Sequence, residues 1–350
     1  MQRRWLLTLL PAALLLQWLA GLAPWAVEAA YARRLYPAVR FAFSFLTGRL
    51  PFSLAEPLLL VAAGLLLRWL CGRPRRPRAI ALRLVAAAGA VYLVFLLSWG
   101  LNYQRPRLAA LAGLPAPGGS REELRLLSSE LIAAANAARA TAGEDAAGVL
   151  ALEGGRRGAL DAADAGLQAA AARLPGLRAP RVRAKPALCS PILSRLGIAG
   201  VFAPFTGEAN VNAMLPGPDL PFAASHELAH QRGYAREDEA NYIASVACRL
   251  HARQDFRYSG LLLSSLYVQS ALAADDRALA VELERARSAA VRRDLDALAE
   301  WSRRYRSGLT RAAEHVNNAY LRSQGQALGI KSYGAMVDLL LAERRNGGLR

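Results

Sequence analysis

The chain has 350 residues, 54% of them apolar, which is too apolar for an ordinary soluble protein and leaves room for a membrane part and one soluble domain. The net charge is +17, a balance that suits nucleic acid or an anionic membrane. The basic residues are scattered, however, and no zinc finger, aromatic–basic RNA motif or basic tail accompanies them, so no nucleic-acid partner is expected. Three cysteines, Cys71, Cys189 and Cys248, cannot all pair, and none lies in a C-x-x-C; Cys189 and Cys248 are the pair open to a disulfide outside the cytoplasm.

In chain order, Trp5 to Val27 carries no charge and is long enough to span a bilayer, with Gln2-Arg3-Arg4 as a cytoplasmic flank. A cleaved signal peptide is the competing reading, but the run is long for one and more apolar segments follow. Tyr31 to Phe52, with Arg33, Arg34, Arg40 and Arg49 beside Phe41, Phe43, Phe45 and Leu46, reads as an interfacial linker. A second span runs from Ser53 to Cys71, its short uncharged core Pro57 to Leu67 flanked by Glu56 and Arg68. The densest positive segment follows, with Arg68, Arg73, Arg75, Arg76, Arg78 and Arg83. A third span from Leu84 ends in Ser98-Trp99-Gly100-Leu101-Asn102-Tyr103, an aromatic interfacial belt. These readings give a membrane domain over 1–104, with spans at about 5–27, 53–71 and 84–103. The positive-inside rule places the N-terminus and the Arg68–Arg83 loop in the cytoplasm and 105–350 outside, in a multi-pass protein of the cell (inner) membrane; the basic Arg33–Arg49 linker runs mildly against this.

Beyond a linker at Pro115–Gly119, Ser120 and Glu123 form a capping-box pattern. Ala- and Leu-rich sequence to about Leu174 reads as two helices broken near Gly143 and Gly154-Gly155, ended by Pro175-Gly176. Ala179 to Leu188 is an expected strand around Val182. Residues 200–205 and 210–215 flank Thr206–Ala209 as a hairpin or a pair of short strands. Glu208 in that turn is a candidate substrate contact, weighed against a solvated turn residue.

His226-Glu227-Leu228-Ala229-His230 matches H-E-x-x-H. On a helix, residues at i and i+4 share one face, so both imidazoles can reach one Zn²⁺ at ~2.0–2.1 Å. Glu227 can take a proton from a water in the open coordination position. Asp219 is the expected N-cap, Pro221 falls in the first turn, and Gly233 ends the helix. The chain holds only four histidines, so a chance match is rare; the plain alternative is a surface helix with two solvated histidines, against which Pro221, Phe222, Leu228 and Ala229 argue. A third ligand is expected from the acidic first turn of a second helix, Glu237, Asp238 and Glu239. Glu237 and Glu239 face roughly opposite ways there, so one of them is expected to bind.

That turn resembles the E-x-x-A-D or E-x-A-C-D segment of membrane gluzincin peptidases, with Asn241 where those carry Asp. The resemblance implies Glu237 as the third ligand and Asn241 as the group behind it. The gap from His230 is shorter than in those families, which keeps Glu239 as an alternative. Downstream, Tyr242 to Leu250 continues this helix and His251 reads as a surface or helix-end histidine. Arg257–Ala274, Ala278–Tyr305 and Ser307–Tyr320 are further helices. His315 and Tyr320 are candidate transition-state stabilisers, against a structural hydrogen-bonding role. Ser332-Tyr333-Gly334 caps a last helix, Ala335 to Glu343.

Leu50–Glu56, Trp99–Tyr103, Pro204–Asn210, the segment His226–Asn241, Ala319-Tyr320-Leu321 and Lys331–Gly334 together are similar to an uncharacterised bacterial membrane family catalogued as domain of unknown function 3810. The resemblance implies a mainly α chain: three N-terminal transmembrane helices, then an α+β zincin-like metallopeptidase domain with a small sheet. The function expected is membrane-anchored, zinc-dependent peptide hydrolysis. His226, His230 and Glu237 hold Zn²⁺, Glu227 is the catalytic base, and the partners are a peptide or protein substrate and the lipid bilayer. The alternative is a non-catalytic zinc-containing membrane sensor or scaffold.

Overall fold

The computed structural model describes residues 4–71, 77–115, 118–324 and 336–348. The expected features at Gln2-Arg3, at Arg73, Arg75 and Arg76, at Ala116-Pro117 and at Lys331–Ala335 lie outside the described residues. The chain divides into two compact units, Met1–Pro106 with Ala203–Glu208, and Arg107–Phe202 with Ala209–Arg350.

The first unit contains α1 (Leu9–Leu22), α2 (Tyr36–Thr47), α3 (Ala55–Cys71) and α4 (Pro77–Ser98). Among the described residues only Ile80–Ser98 is by itself long and apolar enough to cross a bilayer. The expected first span is broken. Pro24 has no N–H and bars helical geometry to the residue before it; Ala23 accordingly sits at φ −133°, ψ 61°. The segments Leu6–Leu22 and Pro24–Thr47 meet there at 101° and count as one crossing only if taken as a bent pair. The expected interfacial linker is thus part of a continuous helical arm. Helix α3 has 17 residues, roughly 25 Å at 1.5 Å each, short of a hydrocarbon core of about 30 Å. Among the described residues one helix, or two if the bent pair is a single span, meets the length and composition of a crossing, where three were expected.

Two further expectations change in this unit. Trp99 and Tyr103 form no interfacial belt: both are buried, edge to face with ring centres 5.3 Å apart. The carboxylate of Glu208 is buried and accepts the N–H groups of Leu54 and Ala55 at 2.9 and 2.8 Å. It therefore caps the start of α3, where orphan donors and the helix dipole favour a carboxylate, and is neither a substrate contact nor a solvated turn residue.

The second unit is helical around a small sheet. The Ser120–Glu123 capping box opens α5 (Arg121–Ala140), and α6 (Gly155–Ala170) begins after the glycine-rich break. The strand expected over Ala179–Leu188 shrinks to β1 (Lys185–Pro186), parallel to β3 (Glu208–Val211), with β2 (Gly200–Ala203) on the far side of β3. A short helix, α7 (Ser190–Leu196), precedes β2. Then come α8 (Leu220–Gln231), α9 (Glu237–Leu250) and α10 (Gln254–Asp275). The helix expected over Ala278–Tyr305 splits into α11 (Arg277–Glu284) and α12 (Ala289–Tyr305), because Ser288 accepts the Val291 N–H and starts a new helix. Helices α13 (Gly308–Ser323) and α14 (Met336–Arg345) complete the chain.

The core lies where α6, α8 and α9 pack through Ala163, Leu167, Leu228, Ala229, Ile243 and Ala247. Their backbones approach closely: a Cβ on Gly166 would stand 2.4 Å from the Ala247 carbonyl oxygen. Every residue of helix α8 except His226 is buried, which accounts for its apolar composition. Cys189 and Cys248 are free thiols, so the expected disulfide is not formed. Cys248 is buried against Ser225, and burial pushes its thiol up to about 12.

His251 caps the end of α9 but is buried, not at the surface. Its ring stacks on Phe256 at 4.0 Å; Nε2–H donates to the Ala162 carbonyl and Nδ1 accepts the Arg253 N–H. These partners require the neutral ring. Burial lowers its pKa, Arg253 and Arg257 add to this, and the Ala162 bond and Asp255 oppose it. The unfolded chain takes up this proton near the ordinary histidine value of about 6.5, so the stabilisation is complete above that pH and is lost as pH falls through the lower folded value. In thermal unfolding, wild type should exceed His251→Gln by more at pH 8 than at pH 5.5; an equal margin at both contradicts this reading.

Candidate metal centre

Helix α8 is fixed at both ends. Asp219 occupies the N-cap position but its side chain caps nothing; instead Ser259 on α10 accepts the Phe222 N–H at 3.2 Å and donates to the Pro218 carbonyl at 2.7 Å. The Asp219 carboxyl is half-buried, and burial pushes it up to about 6, with His226 opposing. At the C-terminus Gly233 takes φ 88°, as a left-handed helix stop requires. Its N–H bonds to the His230 carbonyl and that of Tyr234 to the Ala229 carbonyl, the paired hydrogen bonds of a Schellman turn.

This turn also orients a side chain. His230 Nδ1 lies 2.8 Å from the Tyr234 carbonyl oxygen, so it carries the proton and leaves Nε2 as a lone-pair donor. His226 Nε2 lies 3.0 Å from His230 Nε2, with the rings at 88°. Glu237, the first residue of α9, brings Oε2 to 3.3 Å from His226 Nε2 and Oε1 to 3.7 Å from His230 Nε2. Four-coordinate zinc at ~2.0–2.1 Å from its ligands separates them by about 3.3 Å. The three spacings bracket that value, and an N, N, O donor set suits zinc, so the residues fit the ion. His230 is buried, whereas the side chains of His226 and Glu237 stay 13% and 14% exposed, leaving the group open on one side.

The charges respond to one another. Burial acts to raise the Glu237 carboxyl, but His230 and His226 outweigh it and hold it far below the usual carboxylate range. Burial acts to lower His230, and Glu237 reverses this, pushing it up to about 9. Glu227 is buried beside them; burial raises its carboxyl against the pull of His226 and His230.

The acidic turn divides. Asp238 pairs with Arg107 at 2.9 Å, and Glu239 accepts the Leu108 N–H at 2.8 Å, so Glu237 alone of the three joins the histidines. Asn241, one turn after Glu237, is buried, and among the described residues its Nδ2 finds no hydrogen-bond partner. His315 and Tyr320 lie exposed on α13 and are not members of the His226–His230–Glu237 group.

Other residues at the site carry no sequence signal. Tyr267 on α10 stacks near Phe222, one turn before His226, with ring centres 6.3 Å apart. Its hydroxyl is raised by burial and by the charges of Asp219 and Glu237. Strand β2 backs the base: the Phe202 N–H donates to the Glu227 carboxylate, and a Cβ on Gly200 would stand 2.6 Å from Glu227 Cγ and Oε1.

Residues 31–341 match the family described as protein of unknown function (DUF3810). No curated protein and no solved structure matches the chain.

The Gly200 contact has a direct consequence. Gly200→Ala forces the Glu227 carboxylate or β2 to move, an overpacking cost of about 1–3 kcal/mol. Thermal unfolding should show that loss; an unaltered midpoint contradicts the contact.

Proposed function

We propose that this chain, which belongs to the DUF3810 family, is a membrane-anchored zinc peptidase. The observation that carries the reading is the convergence of His226, His230 and Glu237 at tetrahedral ligand spacing, beside a buried carboxylate. His226 and His230 through Nε2, and Glu237 through its carboxylate, would hold Zn²⁺. The ion would supply Lewis acidity toward a peptide carbonyl and toward water.

The chain's own groups then have separate tasks. The Tyr234 carbonyl keeps the proton on His230 Nδ1 and its Nε2 free to ligate. Glu227, raised by burial and held by the Phe202 N–H, is the group that takes and returns a proton, as general bases do near their working pH. Strand β2 stands at the edge of the sheet and can pair an extended peptide through its main chain, the mode by which an added strand is recognised. With the Arg68–Arg83 loop inside, a crossing at Ile80–Ser98 would place this chemistry outside the cytoplasm.

Glu227→Gln should keep its zinc yet lower cleavage of a fluorogenic peptide library by about 10²–10⁴-fold, the contribution typical of a general base. Full activity in that variant contradicts the role of Glu227. A zinc-bound wild type that cleaves nothing contradicts the enzymatic reading in favour of a sensor or scaffold. Glu237→Gln should lower zinc occupancy while Glu239→Gln, which alters the support of Leu108 and the pairing with Arg236, should not; the reverse outcome moves the third ligand to Glu239.

A further inference from the structure

The face of α8 that carries the two histidines extends one residue beyond the helix. Asp219 is the N-cap, yet its backbone stays in the right-handed helical region, at φ −95° and ψ −31°, so the helical period reaches it. At about 100° per residue, Asp219, His226 and His230 fall within about 40° of one another. Seven residues at about 1.5 Å each set Asp219 about 10 Å from His226 along the axis, toward the helix N-terminus.

Asp219 is free of the task its position suggests, because Ser259 ties down the start of α8 instead. Among the described residues nothing donates to the Asp219 carboxyl and no basic side chain pairs with it. Burying a carboxylate without a partner is costly, and its carboxyl stands raised accordingly. Tyr267 faces it from α10. The Tyr267 ring lies 6.3 Å from that of Phe222, and its hydroxyl is within electrostatic reach of both Asp219 and Glu237. Among the described residues that hydroxyl makes no hydrogen bond. Asp219, His226, Glu237 and Tyr267 are all half-buried, so each keeps access to solvent beside the metal group. A carboxylate without a counter-ion, a hydroxyl acceptor and an aromatic ring are the groups that hold an ammonium or a guanidinium. The chain as a whole repels such a group, at a net charge of +17, so any attraction here is local.

We propose that Asp219, with Tyr267 beside it, is a recognition subsite for a cationic nitrogen on the substrate. That the cation belongs to a peptide rests on the peptidase reading. A lysine or arginine side chain near the scissile bond brings such a nitrogen. A free N-terminal amine about three residues away does so too, at about 3.4 Å per extended residue.

The test uses the full, zinc-loaded chain in detergent with Glu227→Gln, so that bound peptide is not cut. Binding is read by fluorescence anisotropy with C-terminally labelled peptide pools, randomised over uncharged residues. Their one fixed residue is lysine, norleucine or glutamate, and each pool is made with a free or an acetylated N-terminus. A pool bearing the recognised cation should bind about tenfold more tightly than acetylated norleucine, as one charged hydrogen bond provides, and acetylated glutamate should bind most weakly. Adding Asp219→Asn, which keeps the side chain's size, should remove that preference with zinc content and circular dichroism unchanged. A preference kept by acetylated lysine assigns the cation to the side chain; one shown by free norleucine assigns it to the terminal amine. Equal binding of all pools, binding of none, or a preference that survives Asp219→Asn overturns the subsite. With Glu227 restored, cutting every pool at one rate overturns the subsite while the peptidase reading stands. Charge-selective binding without any cutting does the reverse, leaving Asp219 in a cation-binding cleft.

Discussion

Between His230 and Glu237 the chain must stop one helix, reverse and start another. The Schellman turn at Gly233 does this, and the rest of the site depends on it. Any other residue would resist φ 88° there. The reversal brings the first residue of α9 against the last turns of α8, so Glu237 meets two imidazoles that helical periodicity has already stacked. The same turn supplies the Tyr234 carbonyl that sets the proton on His230. One backbone conformation thus fixes the position of one donor and the tautomer of another.

The surroundings make this arrangement costly without a counter-charge. Helix α8 is enclosed by apolar helices, and buried charges are tolerated only when paired. Two carboxylates, Glu227 and Glu237, stand beside the histidines, and the charge of Glu237 adds to the burial that raises Glu227. Without a metal, the balance is met by a proton held on His230. A divalent cation would meet it with neutral imidazoles, so the electrostatics of the site and its ligand spacing point to the same occupant.

Features written in local sequence were legible. The capping box at Ser120, the glycine-rich break before Gly155, the stop at Gly233 and the one-turn histidine spacing each follow from a few adjacent residues. Features that depend on distant partners were not. Glu208 reads as a turn residue until Leu54 and Ala55 are seen to donate to it. Asp219 reads as a cap until Ser259 takes that task from another helix. Gly200 and Tyr267 acquire meaning only through Glu227 and Glu237. In the first unit, apolar length suggested straight spans, but Pro24 bends the arm and Trp99 and Tyr103 turn inward. Hydropathy reports transfer to an apolar medium and does not distinguish lipid from protein interior.

The central claim is that two histidines and Glu237 form a zinc site, and the metal itself is the most direct witness. Zinc per chain should be measured in detergent-purified protein, wild type beside His226→Ala, with folding checked by circular dichroism. The account predicts about one zinc in wild type and close to none in the variant, since a preorganised site loses most of its affinity with a ligand. Folded wild type that takes up no zinc even when it is supplied, or a variant that keeps it, would contradict the account.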